Sequence, residues 1–122
     1  MSDATDLRDR LRGALKGVLA TRDRTAVAAL RSAIAALDNA EAVPVARERA
    51  PVMNGPIAGA AAGVGATEAP RRRLSARDAE AIVEGQVRER LVAADEYDRL
   101  GRSEAAERLR REAGVLAVHL DG

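Results

Sequence analysis

An all-α fold is predicted for this 122-residue chain: two helical hairpins forming a four-helix assembly, joined by a long, disordered Pro/Gly/Ala-rich linker. Three observations predict it. First, alanine, the strongest intrinsic helix former, supplies 28 residues, whereas Leu, Ile, Val and Phe together supply 26 and Tyr97 is the only aromatic. That mixture implies a thin, alanine-rich core and lacks the β-branched and aromatic residues a β-sandwich uses. Second, apolar residues recur at helical spacing on both sides of residues 43–73. Third, all four prolines fall between Pro44 and Pro70, together with Gly55, Gly59, Gly63 and Gly65, so this stretch has no apolar period. The expected organisation is a hairpin over 3–42, a linker over 43–73 and a second hairpin over 74–120, the two hairpins making one domain.

In the first hairpin, Leu7, Leu11, Leu15, Val18 and Leu19 form a stripe, with Asp3 or Thr5 available as cap and fraying expected near Ala20. Thr21-Arg22-Asp23-Arg24 breaks it. Asp23 suits an N-cap, because its carboxylate accepts the unpartnered N–H groups of the next turn. Val27, Leu30, Ile34 and Leu37 mark the second helix, which should end near Asn39 to Glu41, before Pro44. The second hairpin opens on Leu74-Ser75-Ala76-Arg77-Asp78, a capping-box pattern with Ser75 at the N-cap and Asp78 at N3. Val83, Val87, Leu91, Ala94, Tyr97 and Leu100 form one face of the third helix, and Gly101 suits the left-handed position that ends it. Ser103 is placed to cap a fourth helix faced by Ala105, Leu109, Leu116 and Leu120, ended by Asp121-Gly122.

The charges balance to +1, with the linker carrying a net positive excess. Acid-before-base pairs at Glu84–Arg88, Asp95–Arg99, Glu104–Arg108 and Glu107–Arg111 read as a solvated, salt-bridged surface. The absence of cysteine excludes disulfides, thiol catalysis and cysteine metal sites. Lys16 is the only lysine, and the arginine and alanine bias points to a GC-rich bacterial genome. The run Gly59 to Gly65 is followed by no Gly-Lys-Ser/Thr and preceded by no strand, so it is neither a phosphate loop nor a dinucleotide fingerprint. His119 is the only histidine, too few for an ordinary zinc site without cysteine, and is expected in the last turn of a helix facing the negative dipole end. Glu112 interrupts an apolar face; the cost of burying a lone charge favours pairing with an arginine from a neighbouring helix. Pro70-Arg71-Arg72-Arg73 is a basic cluster, read either as a phosphate contact or as a solubilising linker end. No apolar run is long enough for a transmembrane helix, and residues 1–6 are acidic with no apolar segment, so a cytoplasmic protein is expected. No catalytic residue, cofactor or metal is expected.

The order of motifs carries a resemblance. Arg22-Asp23 lies in the first turn, Leu30-Arg31 in the second helix and Asn39-Ala40-Glu41 at its end. Leu74-Ser75 opens the third helix, Arg90 precedes Gly101-Arg102 by eleven residues to Gly101, and Tyr97 lies between. Glu112, Val115, Leu116 and Leu120 follow. In this order the chain resembles the YqeY-like proteins, relatives of the C-terminal tail region of the B subunit of tRNA-dependent Asp/Glu amidotransferase. It departs from them in its long spacer over 43–73, in His119 where the family usually has Tyr, and in Asp121 where Pro would follow Leu. The family continues into a second, smaller helical bundle, so the likeness is to its N-terminal helical half only.

The resemblance implies a small non-catalytic helical module, associated with tRNA or accessory to an amidotransferase-like complex. Relatives are linked to carbon–nitrogen ligase activity with glutamine as amido donor; no such activity is expected of this chain by itself. The arginines placed to meet phosphates are Arg22, Arg24, Arg31, Arg88, Arg90 and Arg102. The alternative is a protein-interaction or self-association module, in which Val83–Val87–Leu91 or Leu109–Leu116–Leu120 binds a helical partner or a second copy.

Overall fold

A computed structural model describes residues 4–42 and 73–120. Among the described residues there are four α-helices and no strand: α1 (Ala4–Thr21), α2 (Arg24–Ala42), α3 (Ala76–Arg99) and α4 (Ser103–Ala117). The protein is therefore all-α over these residues. Among the described residues, 4–37 and 74–120 belong to one compact unit. The linker expected over 43–73, with its glycine run and most of its arginine cluster, lies outside the described residues except for Arg73.

Local chemistry sets the helix ends. Asp23 caps α2, its Oδ1 accepting the Ala26 N–H at 3.1 Å. Before it, Arg22 takes a left-handed conformation, φ 62°, which lets the chain leave α1 and re-enter a helix within two residues. The capping box at α3 is complete in both directions: Asp78 N–H donates to Ser75 Oγ at 3.0 Å and Ser75 N–H to Asp78 Oδ2 at 3.2 Å. Gly101 is left-handed, φ 78°, and α3 closes as a Schellman motif, with Arg102 N–H donating to Tyr97 O at 2.8 Å and Gly101 N–H to Asp98 O at 3.0 Å.

Two terminal assignments need correction. Ser103 does not cap α4; Arg102 occupies the N-cap without a side-chain bond and Ser103 is already helical, because the Schellman turn delivers the chain into α4 one residue early. Helix α4 also stops at Ala117, before Asp121-Gly122, and residues 118–120 form turns.

The core is built largely of alanine. Ala4, Ala26, Ala29, Ala33, Ala79, Ala94, Ala106 and Ala113 are buried, with Leu11, Leu30, Leu37, Val83 and Leu116 the largest fully buried side chains. Small side chains let helix axes approach closely, so a thin apolar complement suffices. Not every residue of the expected stripes points inward. Leu91 is 43% exposed, because four-residue steps from Val83 drift round a helix of 3.6 residues per turn, and Leu100, the C-cap of α3, is 64% exposed. The inward line on α3 runs instead through Val83, Val87, Arg90 and Ala94. Val83 and Leu116 are fully buried, so neither stripe proposed for a partner helix is presented outward as a unit.

Helices α3 and α4 pack antiparallel: Arg90 lies opposite Glu112, while Arg110 lies opposite Asp95 and Asp98. Helix α1 packs against α3, and Arg10 Nη2 donates to His119 O at 2.9 Å beyond the end of α4. Helix α2 reaches α3 through Ser32 and Gln86 and α4 through Thr25 and Arg111.

Candidate nucleic-acid interface

The six candidate arginines fall into four places. Three of them converge. The end of α1 and the start of α2 form a depression of about 520 Å³ lined by Leu19, Arg22, Arg24, Val27, Ala28 and Arg31. Helical spacing explains the convergence: Arg24, Val27, Ala28 and Arg31 follow one another at three or four residues along α2, and the left-handed turn at Arg22 brings the end of α1 beside them. Arg22, Arg24 and Arg31 are exposed. Among the described residues, none of the three forms an ion pair. The nearest acid in sequence, Asp23, directs one carboxylate oxygen at the α2 amides. The result is an apolar floor of Leu19, Val27 and Ala28 rimmed by three guanidinium groups, a surface suited to phosphate on its rim and to a flat apolar group on its floor.

The other three are held elsewhere. Arg88 lines a separate depression with Glu89 and Glu96. Arg102 sits beside Ser103, Glu104 and Arg108 at the start of α4.

Arg90 is committed inside the bundle. Its Nε donates to Glu112 Oε1 at 2.8 Å, and its Nη1 donates to Gln86 Oε1 at 2.9 Å and Gln86 O at 3.1 Å. Ser32 Oγ donates to the same Gln86 Oε1 at 2.8 Å. The side chains of Arg90 and Glu112 are 12% and 13% exposed. This chain of polar groups ties α2, α3 and α4 together and gives Glu112 the arginine partner its place in the stripe requires. In this arrangement Arg90 holds the helices together through Glu112 and Gln86. The signal was present in the sequence: Arg90 stands seven residues after Val83 and four before Ala94, on the inward line.

No family model, curated protein or solved structure matches this chain.

The expected Asp95–Arg99 pair gives way to other partners, and Arg111 turns to another helix. Arg110 bridges Asp98 at 2.6 Å and Asp95 at 3.0 Å, and these hydrogen bonds, Asp98 first, raise its pKa. Arg99 turns to Glu96, leaving Asp95 to Arg110. Arg111 donates to Thr25 Oγ1 at 3.2 Å, which brings a further cation to the start of α2. Periodicity within one helix could not show this, because the pairing depends on how α4 lies against α3 and α2.

His119 lies in the turn after α4, not in its last helical turn. Burial first, and then the charge of Arg10, push its pKa below the ordinary value of 6.5, which favours the neutral imidazole. Among the described residues, no group of three or more His, Cys, Asp or Glu side chains could hold a metal ion, and no helix is long and apolar enough to cross a membrane.

Proposed function

We propose that the protein is a YqeY-like helical module, two hairpins forming one four-helix domain, that associates with tRNA through the depression of Arg22, Arg24 and Arg31. The observation that carries this reading is the convergence of three exposed guanidinium groups, free of carboxylate partners among the described residues, around an apolar floor. Phosphate contacts supply affinity by releasing counterions, and an aliphatic floor suits the face of an unstacked base or a ribose. The order of motifs supports tRNA as the nucleic acid, since the chain resembles relatives of an amidotransferase tail that itself resembles a tRNA-contacting appendage. The module acts by binding; the chemistry belongs to an amidotransferase-like complex to which it is accessory.

Fluorescence anisotropy with labelled tRNA at two salt concentrations tests the reading. The wild-type chain binds more weakly at the higher salt. Each phosphate contact removed lowers the slope of log K against log salt by roughly 0.7–0.9. Arg22→Glu/Arg24→Glu/Arg31→Glu abolishes binding. Absence of salt-dependent binding at near-physiological ionic strength removes the proposal.

A further inference from the structure

The outward face of α3 is separate from the arginine depression. Ala81, Gly85, Arg88, Val92, Glu96 and Arg99 follow one another at helical spacing on its solvent side, and Val92 is 61% exposed. Gly85, Arg88, Glu89, Val92, Ala93 and Glu96 line a depression of about 520 Å³ there. Gly85 has no packing reason inside the fold: a Cβ added to it meets nothing within 4 Å, although glycine in a helix interior is destabilising relative to alanine. It does leave room for another chain.

The charges on this face have a symmetry. Asp95 is drawn away by Arg110, which also holds Asp98. Arg88 stands four residues before Val92, and Glu96, which also holds Arg99 of its own helix, stands four residues after it, opposite charges at equal distances from one exposed apolar residue. Such a face is complementary to itself only when the second helix runs the other way. A parallel copy sets Arg88 on Arg88 and Glu96 on Glu96; an antiparallel copy sets Arg88 against Glu96 twice, and Glu89 against Asp95, whose charge Arg110 already holds. In the same register Gly85 of one copy stands opposite Arg99 of the other, and the missing Cβ makes space for that guanidinium.

We infer that the outward face of α3 is a homodimer surface, two copies meeting antiparallel about a two-fold axis at Val92, with Arg88 of each copy paired to Glu96 of the other. Sedimentation velocity on the full chain over a concentration series tests it. The wild type shows a monomer–dimer equilibrium that is weakened by salt. Arg88→Glu and Glu96→Arg each weaken the dimer by at least about tenfold, since each sets like charges together twice. The double variant Arg88→Glu/Glu96→Arg recovers most of the wild-type affinity, because the swap restores both pairs. Val92→Glu gives monomer, and all variants keep the wild-type helical circular dichroism. A wild type that stays monomeric, assemblies that grow beyond dimers, or a double variant no better than the singles would each overturn the inference.

Discussion

Arg90 on α3 and Glu112 on α4 form a 2.8 Å ion pair inside the helix packing, with both side chains nearly buried. The pair is more than two charges in contact. Arg90 also donates to Gln86, and Gln86 accepts from Ser32 on α2, so three helices share one set of polar partners. In a core made mostly of alanine and leucine, such a set fixes the register in which the helices meet, because sliding any one of them strands a donor or acceptor away from water. Removing one partner leaves the other charge without compensation. Glu112→Ala should therefore destabilise the fold by about 2–3 kcal/mol, and the apolar double variant Arg90→Met/Glu112→Leu should recover most of that loss. Urea denaturation of Glu112→Ala checks the first statement, and Arg90→Met, Glu112→Leu and their double variant close the cycle that gives the coupling energy.

A second prediction concerns α1. Gly13 and Gly17 lie within this helix, both are exposed, and a Cβ at either position meets nothing within 4 Å. Each gives up helix propensity without gaining packing in the fold. Gly13→Ala and Gly17→Ala should each stabilise the protein by roughly 0.5–1 kcal/mol. Thermal melts of the single and double variants measure this; a loss of stability in either would show that the glycine is required by something bound on that face.

The elements were legible in the sequence because their signals are local. Asp23 as a cap, the Ser75–Asp78 box and the left-handed Gly101 each depend on residues a few positions apart, and the structure has all three. Glu112 was legible as a residue in need of an arginine because it interrupts an apolar line. What was not legible is which arginine it meets and which faces are left outside. Arg90 and Arg88 are two residues apart and similar in charge, yet one is enclosed and the other exposed, a difference set by the rotation of α3 against α2 and α4. Within the candidate site, Arg22, Arg24 and Arg31 come together because the turn between α1 and α2 is short; Arg88, Arg90 and Arg102 do not join them, because nothing local places distant helices on one surface.

A third prediction follows from His119. Burial and Arg10 hold its folded-state pKa below the value of the unfolded chain. The unfolded chain therefore binds the proton first as pH falls. The contribution of the neutral imidazole is fully present above about pH 6.5 and is lost as pH drops through and below that value. Wild-type protein should lose melting temperature between pH 7.5 and about 5 more steeply than His119→Asn, which has no proton to gain. Arg10→Ala should make the loss shallower by removing part of the cause, although it also removes the hydrogen bond to the His119 carbonyl and so lowers stability across the range. Parallel slopes for the wild type and His119→Asn would show that the imidazole is not the titrating group.

Arg22 offers the sharpest separation of fold from binding. Its backbone is left-handed, a conformation that is costly for a residue with a Cβ and easy for glycine, and its side chain stands at the rim of the arginine depression. If the turn alone mattered, glycine would serve there at least as well. Arg22→Gly should leave the melting temperature unchanged or higher, because relief of the strained conformation offsets the extra freedom of the unfolded chain. The same substitution should weaken tRNA binding by roughly threefold to tenfold and flatten its salt dependence, as expected for one lost phosphate contact. Arg22→Lys should retain most of the salt dependence, having kept the charge, while keeping the strain. A variant whose stability rises while its tRNA affinity stays at the wild-type value would show that Arg22 serves the turn alone, and the interface would then have to be sought away from the junction of α1 and α2.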